Sequence, residues 1–187
     1  MSEAAVTNVN RDDVTRVRVA PLEQFLCGPI RPGHFEGVAT VCLKLFQITQ
    51  ADFALFGEKD FQQLRILQQM TQDLNLPLTV VPEPIVREAD GLAMSSRNRY
   101  LSSEQRAHAT HIPTAWRRAQ AVASGRSDAT VGDVLTAAMN ELEKAPLVID
   151  YLSVAPERTL VPCARETRLA DVPLPRIFIA VKNGSTR

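Results

Sequence analysis

Phe53-Ala54-Leu55-Phe56-Gly57-Glu58-Lys59-Asp60 sets four apolar residues in a row before a glycine and three charged residues. The apolar run suits a strand buried on both faces of a parallel sheet, ended by Gly57. Downstream, Phe61, Leu64, Leu67, Met70 and Leu74 mark one face of a helix expected over residues 58–75. Residues 78–81 form a second β-rich run, stopped by Pro82 and Pro84. Upstream, Val38, Val41, Cys42, Leu45 and Ile48 recur at helical spacing over residues 37–50. Helix, strand, helix, strand is the alternation of an α/β fold with parallel strands. Only two strands are clear, so the region reads as part of a larger sheet.

The flanks read differently. Residues 1–16 are polar and without period, a frayed lead-in. Val17, Val19 and Leu22 suggest a short strand, and the Gly- and Pro-rich stretch 27–34 a loop. After Pro84, residues 85–101 form a polar loop carrying Arg87, Arg97 and Arg99. Ser102-x-x-Gln105 is a capping box for a helix reaching residue 124, which Pro113 bends or divides. Ser127 or Asp128 caps a further helix with Val131, Val134, Leu135, Ala138 and Leu142 facing inward. Strands over 148–154 and 176–181 complete a small α+β unit. Asn183-Gly184 is a hairpin-turn signal whose returning strand does not follow in the sequence. The expected division is a lead-in over 1–16, a nucleotide-binding part over 17–86 and an α+β part over 87–187.

Bulk properties narrow the function. The 187 residues are 45% apolar and 22% charged, with a formal net charge of zero. No global field therefore steers the chain toward nucleic acid or an anionic membrane surface. No apolar run reaches membrane-spanning length, and the odd, scattered Cys27, Cys42 and Cys163 fit neither a zinc site nor a disulfide scaffold. A cytoplasmic protein is expected. The cations are nearly all Arg; Lys59 is one of only four Lys.

Three polar segments have chemical potential. A strand ending at Gly57 with a helix starting at once is the carboxyl edge of an α/β sheet, where ligands bind in such folds. The helix start offers free N–H groups for phosphate, Gly57 lets a ligand approach the backbone, Lys59 brings a mobile charge, and Asp60 accepts from ribose hydroxyls. The plainer alternative is that Glu58 and Asp60 complement the helix dipole while Lys59 is solvated. One of the amides of Gln62 and Gln63 is placed to face the sheet edge, suiting a ligand with hydroxyl and carboxylate groups. Ser95-Ser96-Arg97 offers hydroxyls and a planar fork for phosphate, against the alternative of a solvated loop before a capped helix. Arg31-Pro32-Gly33-His34 is a polar loop whose His34 either bonds a ligand or caps a neighbouring carbonyl. His108 and His111, three apart with no third ligand evident, read as exposed helix residues.

Taken in order, Arg31-Pro32-Gly33-His34-Phe35-Glu36-Gly37, Phe56-Gly57-Glu58-Lys59-Asp60-Phe61-Gln62-Gln63-Leu64, and the stretch from Val86 through Met94-Ser95-Ser96-Arg97-Asn98-Arg99-Tyr100-Leu101 resemble the pantothenate synthetase family. The resemblance runs from about Val17 to the last residue. It implies an incomplete Rossmann-like nucleotidyltransferase sheet followed by a small α+β domain. It also implies an ATP-dependent ligase that condenses pantoate with β-alanine through a pantoyl adenylate, with Mg2+ accompanying ATP, in a homodimer. Carried over by motif, Gly57, Glu58, Lys59 and Asp60 line the ATP site, with Lys59 near the phosphates and Asp60 at the ribose. Gln63 holds pantoate. Val86 and Met94 flank adenine, while Ser95, Ser96 and Arg97 grip phosphate on a mobile loop resembling the Lys-Met-Ser-Lys-Ser loop of related transferases. Lys59, Ser95, Ser96 and Arg97 are thereby the expected catalytic residues.

The family's opening segment, a strand and Met-Gly-x-Leu-His-x-Gly-His, has no counterpart in this sequence, and nor does an upstream pantoate-binding Gln. Phe61 stands where Tyr is common. The resemblance thus leads to two expectations: a ligase with part of its site missing and little adenylation alone, or a non-catalytic remnant that binds ATP weakly or serves as a dimerisation module.

Overall fold

The computed structural model describes residues 14–184. Most of the expected lead-in, and the three residues after Gly184, lie outside the described residues. The chain divides between Pro84 and Ile85 into two compact units. The division falls two residues before the expected boundary, because the carbonyl of Val86 accepts from the Met94 N–H within the second unit, at 2.9 Å.

In the first unit, helix α1 (His34–Thr49) precedes strand β1 (Phe53–Gly57), and helix α2 (Phe61–Asp73) precedes strand β2 (Thr79–Glu83). The two strands pair in parallel, with Phe53 opposite Thr79 and Gly57 opposite Glu83. Phe61, Leu64, Leu67 and Met70 are buried as their spacing predicts, and Gln62, Ile66 and Thr71 join them. Beyond the end of helix α2, Asn75 lies in the left-handed region at φ 50. The N–H of Leu76 reaches back to Thr71 O at 3.0 Å, and that of Asn75 to Gln72 O at 3.2 Å. This is a Schellman closure with Asn in the position glycine usually takes.

Several expectations need correcting in this unit. No strand forms at residues 17–22, where Ala20–Glu23 is a 3-10 turn with Pro21 in its first positions. The N–H of Val19 is taken by Glu23 Oε1 and that of Val17 by Thr40 Oγ1, so neither is left for a ladder. Strand β1 is not buried on both faces: Phe53 is 65% and Leu55 66% exposed. The reason is geometric, since Phe56 packs edge-on against Phe46 of α1 while alternate residues point to the opposite face. Nor does Pro82 stop β2, which continues to Glu83. Among the described residues β2 pairs only with β1, and proline is tolerated on such an edge. Ile48, expected on the inner face of α1, is 49% exposed.

The second unit opens with a short pairing of Arg87 with Ala93 and a 3-10 turn, Ser96–Tyr100. Helices α3 (Ser103–Ala109), α4 (His111–Gly125) and α5 (Val131–Leu142) follow, then antiparallel strands β3 (Val148–Pro156) and β4 (Pro175–Lys182). The Ser102/Gln105 capping box is formed. Pro113 divides the helix: lacking an N–H, it leaves the carbonyl of Ala109 without its usual donor four residues on, and α3 ends there. The cap of α5 is Thr130 rather than Ser127 or Asp128. Thr130 Oγ1 accepts from the Asp133 N–H at 3.1 Å, and Asp133 Oδ2 accepts from the Thr130 N–H at 3.0 Å. Asp128 instead pairs with Arg126 at 3.2 Å. The core gathers Val131, Val134, Leu135, Ala138 and Leu142 against Ala115, Ala119 and Val154.

Candidate functional site

The residues singled out above fall into two segments, one in each unit. In the first unit, β1 ends in the extended conformation at Gly57, with φ −69 and ψ 137. A Cβ added there would meet nothing within 4 Å, so the backbone faces open space at the carboxyl edge of the sheet. The α-helix does not begin at once. Glu58–Asp60 make one 3-10 turn, and α2 begins at Phe61 without a side-chain cap from Asp60. Lys59 Nζ lies 3.7 Å from Asp60 Oδ2, and both side chains are substantially exposed. Such a pair is held loosely and is free to re-form around an anion.

The two adjacent glutamines separate here. Gln62 is buried, and its Nε2 donates to the carbonyls of Leu22 and Phe25, both at 2.8 Å. Its Oε1 accepts from the Cys27 N–H at 3.0 Å. The Gln63 amide is half-buried and makes no hydrogen bond among the described residues. In the 31–34 loop, Gly33 takes φ 73, and His34 begins α1 with its ring tilted against Phe35 at 5.0 Å.

In the second unit, the Arg87–Ala93 pairing makes Val86 and Met94 direct cross-strand neighbours, and such side chains share a face. They are 66% and 55% exposed, two apolar side chains side by side and open to a flat ligand. The hairpin closes at Gly91, φ 88, whose N–H donates to Glu88 O at 2.8 Å. Ser95 caps the following turn, its Oγ accepting from the Arg97 N–H at 3.2 Å. Ser96 and Arg97 are exposed, and their side chains make no hydrogen bond or ion pair among the described residues.

Sequence reasoning missed the scaffold beneath this turn. Asn98 Nδ2 donates to Glu88 Oε1 at 2.5 Å and to Ala93 O at 3.1 Å. Arg106 of α3 pairs with Glu88 at 2.7 Å and with Asp90 at 2.5 Å. Asn98 first and Arg106 second hold the Glu88 carboxyl below the usual carboxylate range, and Arg106 does the same for Asp90. Nothing in the residue spacing announced Arg106 as the partner of Glu88 and Asp90. His108 and His111 are half-buried rather than exposed, and His111 Nδ1 lies 2.9 Å from Glu141 Oε1. Glu141 is buried and also meets Lys144 and Arg118, both at 2.7 Å, so His111 belongs to a structural ion cluster. Asn183 is likewise turned inward, its Nδ2 donating to Gln105 O at 2.6 Å, and Gly184 takes φ 61.

Comparison with known proteins places these segments in context. A family model described as pantoate-beta-alanine ligase matches residues 2–187. The pantothenate synthetase of Pseudomonas savastanoi pv. phaseolicola is 49% identical over 157 residues, covering 83% of this chain and 55% of that one. The pantothenate synthetase of Trichlorobacter lovleyi is 49% identical over 175 residues, 92% of this chain and 59% of that one. The crystal structure of pantothenate synthetase from Thermus thermophilus superposes with TM-score 0.83 at 39% identity, covering 93% of this chain and 61% of that one. A pantoate-beta-alanine ligase from Francisella tularensis, complexed with beta-gamma ATP and beta-alanine, matches with TM-score 0.65 at 26% identity, over 93% of this chain and 56% of that one. The chain thus spans between half and two thirds of the length of these relatives.

Proposed function

Because the chain belongs to the pantoate-beta-alanine ligase family, we propose that it serves an ATP-dependent ligation of pantoate to β-alanine in the cytoplasm. The observation that carries this reading is the junction at the carboxyl edge of the sheet, where an open Gly57 leads through Lys59 and Asp60 into the start of α2. Backbone N–H groups, a loosely held cation and a carboxylate there match the phosphates and ribose of a nucleotide.

In the proposed reaction a pantoate carboxylate oxygen attacks the α-phosphorus of ATP, forming pantoyl adenylate and releasing pyrophosphate. The β-alanine amine then attacks the acyl carbon, the C–N bond forms, and AMP leaves. Activation converts a poor leaving oxygen into a good one, and the protein's part is positioning and charge stabilisation. Lys59 approaches the phosphates and Asp60 the ribose, while Gly57 and Glu58 line the same site. Gln63, with its amide uncommitted, receives pantoate. Val86 and Met94 offer their exposed apolar pair to adenine, while Ser95, Ser96 and Arg97 supply the hydroxyls and planar fork for phosphate. Mg2+ would ride on the phosphate oxygens, as it does where protein ligands are few. The first unit then acts as a nucleotide-binding domain and the second as its α+β complement.

AMP formation by the purified chain tests the proposal. We expect slow release that requires both pantoate and β-alanine and falls further in Arg97→Ala, the direction of losing one charge-stabilising group. Absence of both AMP formation and nucleotide binding would sink it. A second reading, a non-catalytic ATP-binding or homodimerising module, is favoured by the exposed Phe53 and Leu55 on one face of β1. ATP binding without turnover, together with a dimer in sedimentation equilibrium, selects that reading.

A further inference from the structure

We propose that Glu88 is the positioning residue for the turn bearing Ser96 and Arg97, and that Arg106 holds Glu88 in place from α3. The inference rests on the nucleotide reading of that turn. A five-residue 3-10 turn has poor hydrogen-bond geometry and little stability of its own. What anchors this one is its middle residue: Asn98 turns inward, donating to Glu88 Oε1 and to Ala93 O. The second Glu88 oxygen accepts from Arg106 Nη2 at 2.7 Å, and Arg106 Nη1 pairs with Asp90 at 2.5 Å across the hairpin tip. A guanidinium on a capped helix, two hairpin carboxylates and one turn amide thus form a continuous chain of contacts.

The two residues before this anchor, Ser96 and Arg97, remain open to a ligand. Ser96 and Arg97 stay exposed and make no side-chain hydrogen bond among the described residues. Fixing the turn's backbone beforehand lowers the ordering cost of gripping phosphate, which is the general advantage of pre-organisation. Arg106 is hydrogen-bonded to Glu88 and ion-paired with Asp90, so it does not compete with Arg97 for the anion. Arg106 acts through Glu88, and Glu88 through Asn98; none of the three touches the ligand.

The test uses the full chain, with β,γ-methylene ATP as the calorimetric probe and amide exchange measured without ligand. Glu88→Ala is expected to weaken binding about tenfold, while Glu88→Gln, whose single acceptor oxygen serves Asn98 or Arg106 but not both, should fall between Glu88→Ala and the parent. In the free chain, the Arg97, Asn98 and Leu101 amides should exchange about tenfold faster in Glu88→Ala, with the Ile177 and Ile179 amides of β4 unchanged. Asn98→Ala cuts the chain while leaving the Glu88–Arg106 pair, so it should reproduce both effects. Unchanged exchange at Arg97 and Asn98 in both alanine variants overturns the inference. So does equal nucleotide affinity in a chain that binds. If the parent binds no nucleotide, the reading of the site fails, and the exchange measurement alone then decides the positioning role.

Discussion

Gln62 sits at the start of α2 with its amide committed to three backbone groups of residues 22–27, and its neighbour Gln63 is committed to none among the described residues. The same side chain therefore has two physical roles one position apart. Replacing Gln62 with Ala strands the buried Leu22 carbonyl and the Cys27 N–H, while the Phe25 carbonyl keeps the Gly28 N–H, and should cost about 1–3 kcal/mol. Gln63→Ala should stay within about 0.5 kcal/mol in stability and instead weaken pantoate binding. Urea unfolding followed by far-UV circular dichroism checks the contrast; equal losses in the two variants would remove it. The sequence brought both amides to notice and left open which one faced the sheet edge. The choice depends on segment 22–27 lying over α2, a relation between residues up to 40 positions apart.

Helix α5 shows the same division at the level of an element. Its inner face was legible from spacing alone, because 3.6-residue periodicity is a local property of the chain. Its first residue was not, since Ser127, Asp128 and Thr130 are all good caps by type. Thr130 prevails because it forms a reciprocal box with Asp133, while Asp128 is drawn to Arg126. Thr130→Ala should lower the stability of the second unit by about 1 kcal/mol. Asp128→Ala removes an exposed, solvent-screened pair and should leave the transition essentially where it is. Fluorescence of Trp116, which lies in α4 of the same unit, reports the transition. A larger effect from Asp128 than from Thr130 would contradict the assignment.

On the scale of the whole molecule, the two units differ in electrostatics. Among the described residues, the carboxylates held below their usual range, Glu88, Asp90, Asp128, Asp133 and Glu141, belong to the second unit. Glu141 is held low by Lys144 first, and by His111 and Arg118 as well. Folding keeps these groups ionised at acidities where the unfolded chain has already bound protons. Stability therefore rises with pH across that interval, is complete above the ordinary glutamate value of 4.5, and is lost as pH falls through the depressed values. Trp116 fluorescence should report acid unfolding of the second unit beginning below that point, and Glu141→Gln should flatten the pH dependence. Stability that stays level from about pH 6 to pH 3 would falsify this account.

By itself the sequence determined the α/β alternation, the junction at Gly57–Asp60, the Ser102 cap, the break at Pro113 and the family. Each rests on a local pattern: periodicity, a capping box, a missing N–H, or an ordered set of motifs. Tertiary structure decided that β1 leaves Phe53 and Leu55 open, that β2 runs through Pro82, and that Gln62 is structural. It also decided that the Ser96–Arg97 turn rests on Glu88 and Arg106, 18 residues apart in the chain. Those outcomes depend on which distant groups meet. Pairing of a carboxylate with a guanidinium, or of an amide with a carbonyl, is set by packing and leaves no trace in residue spacing.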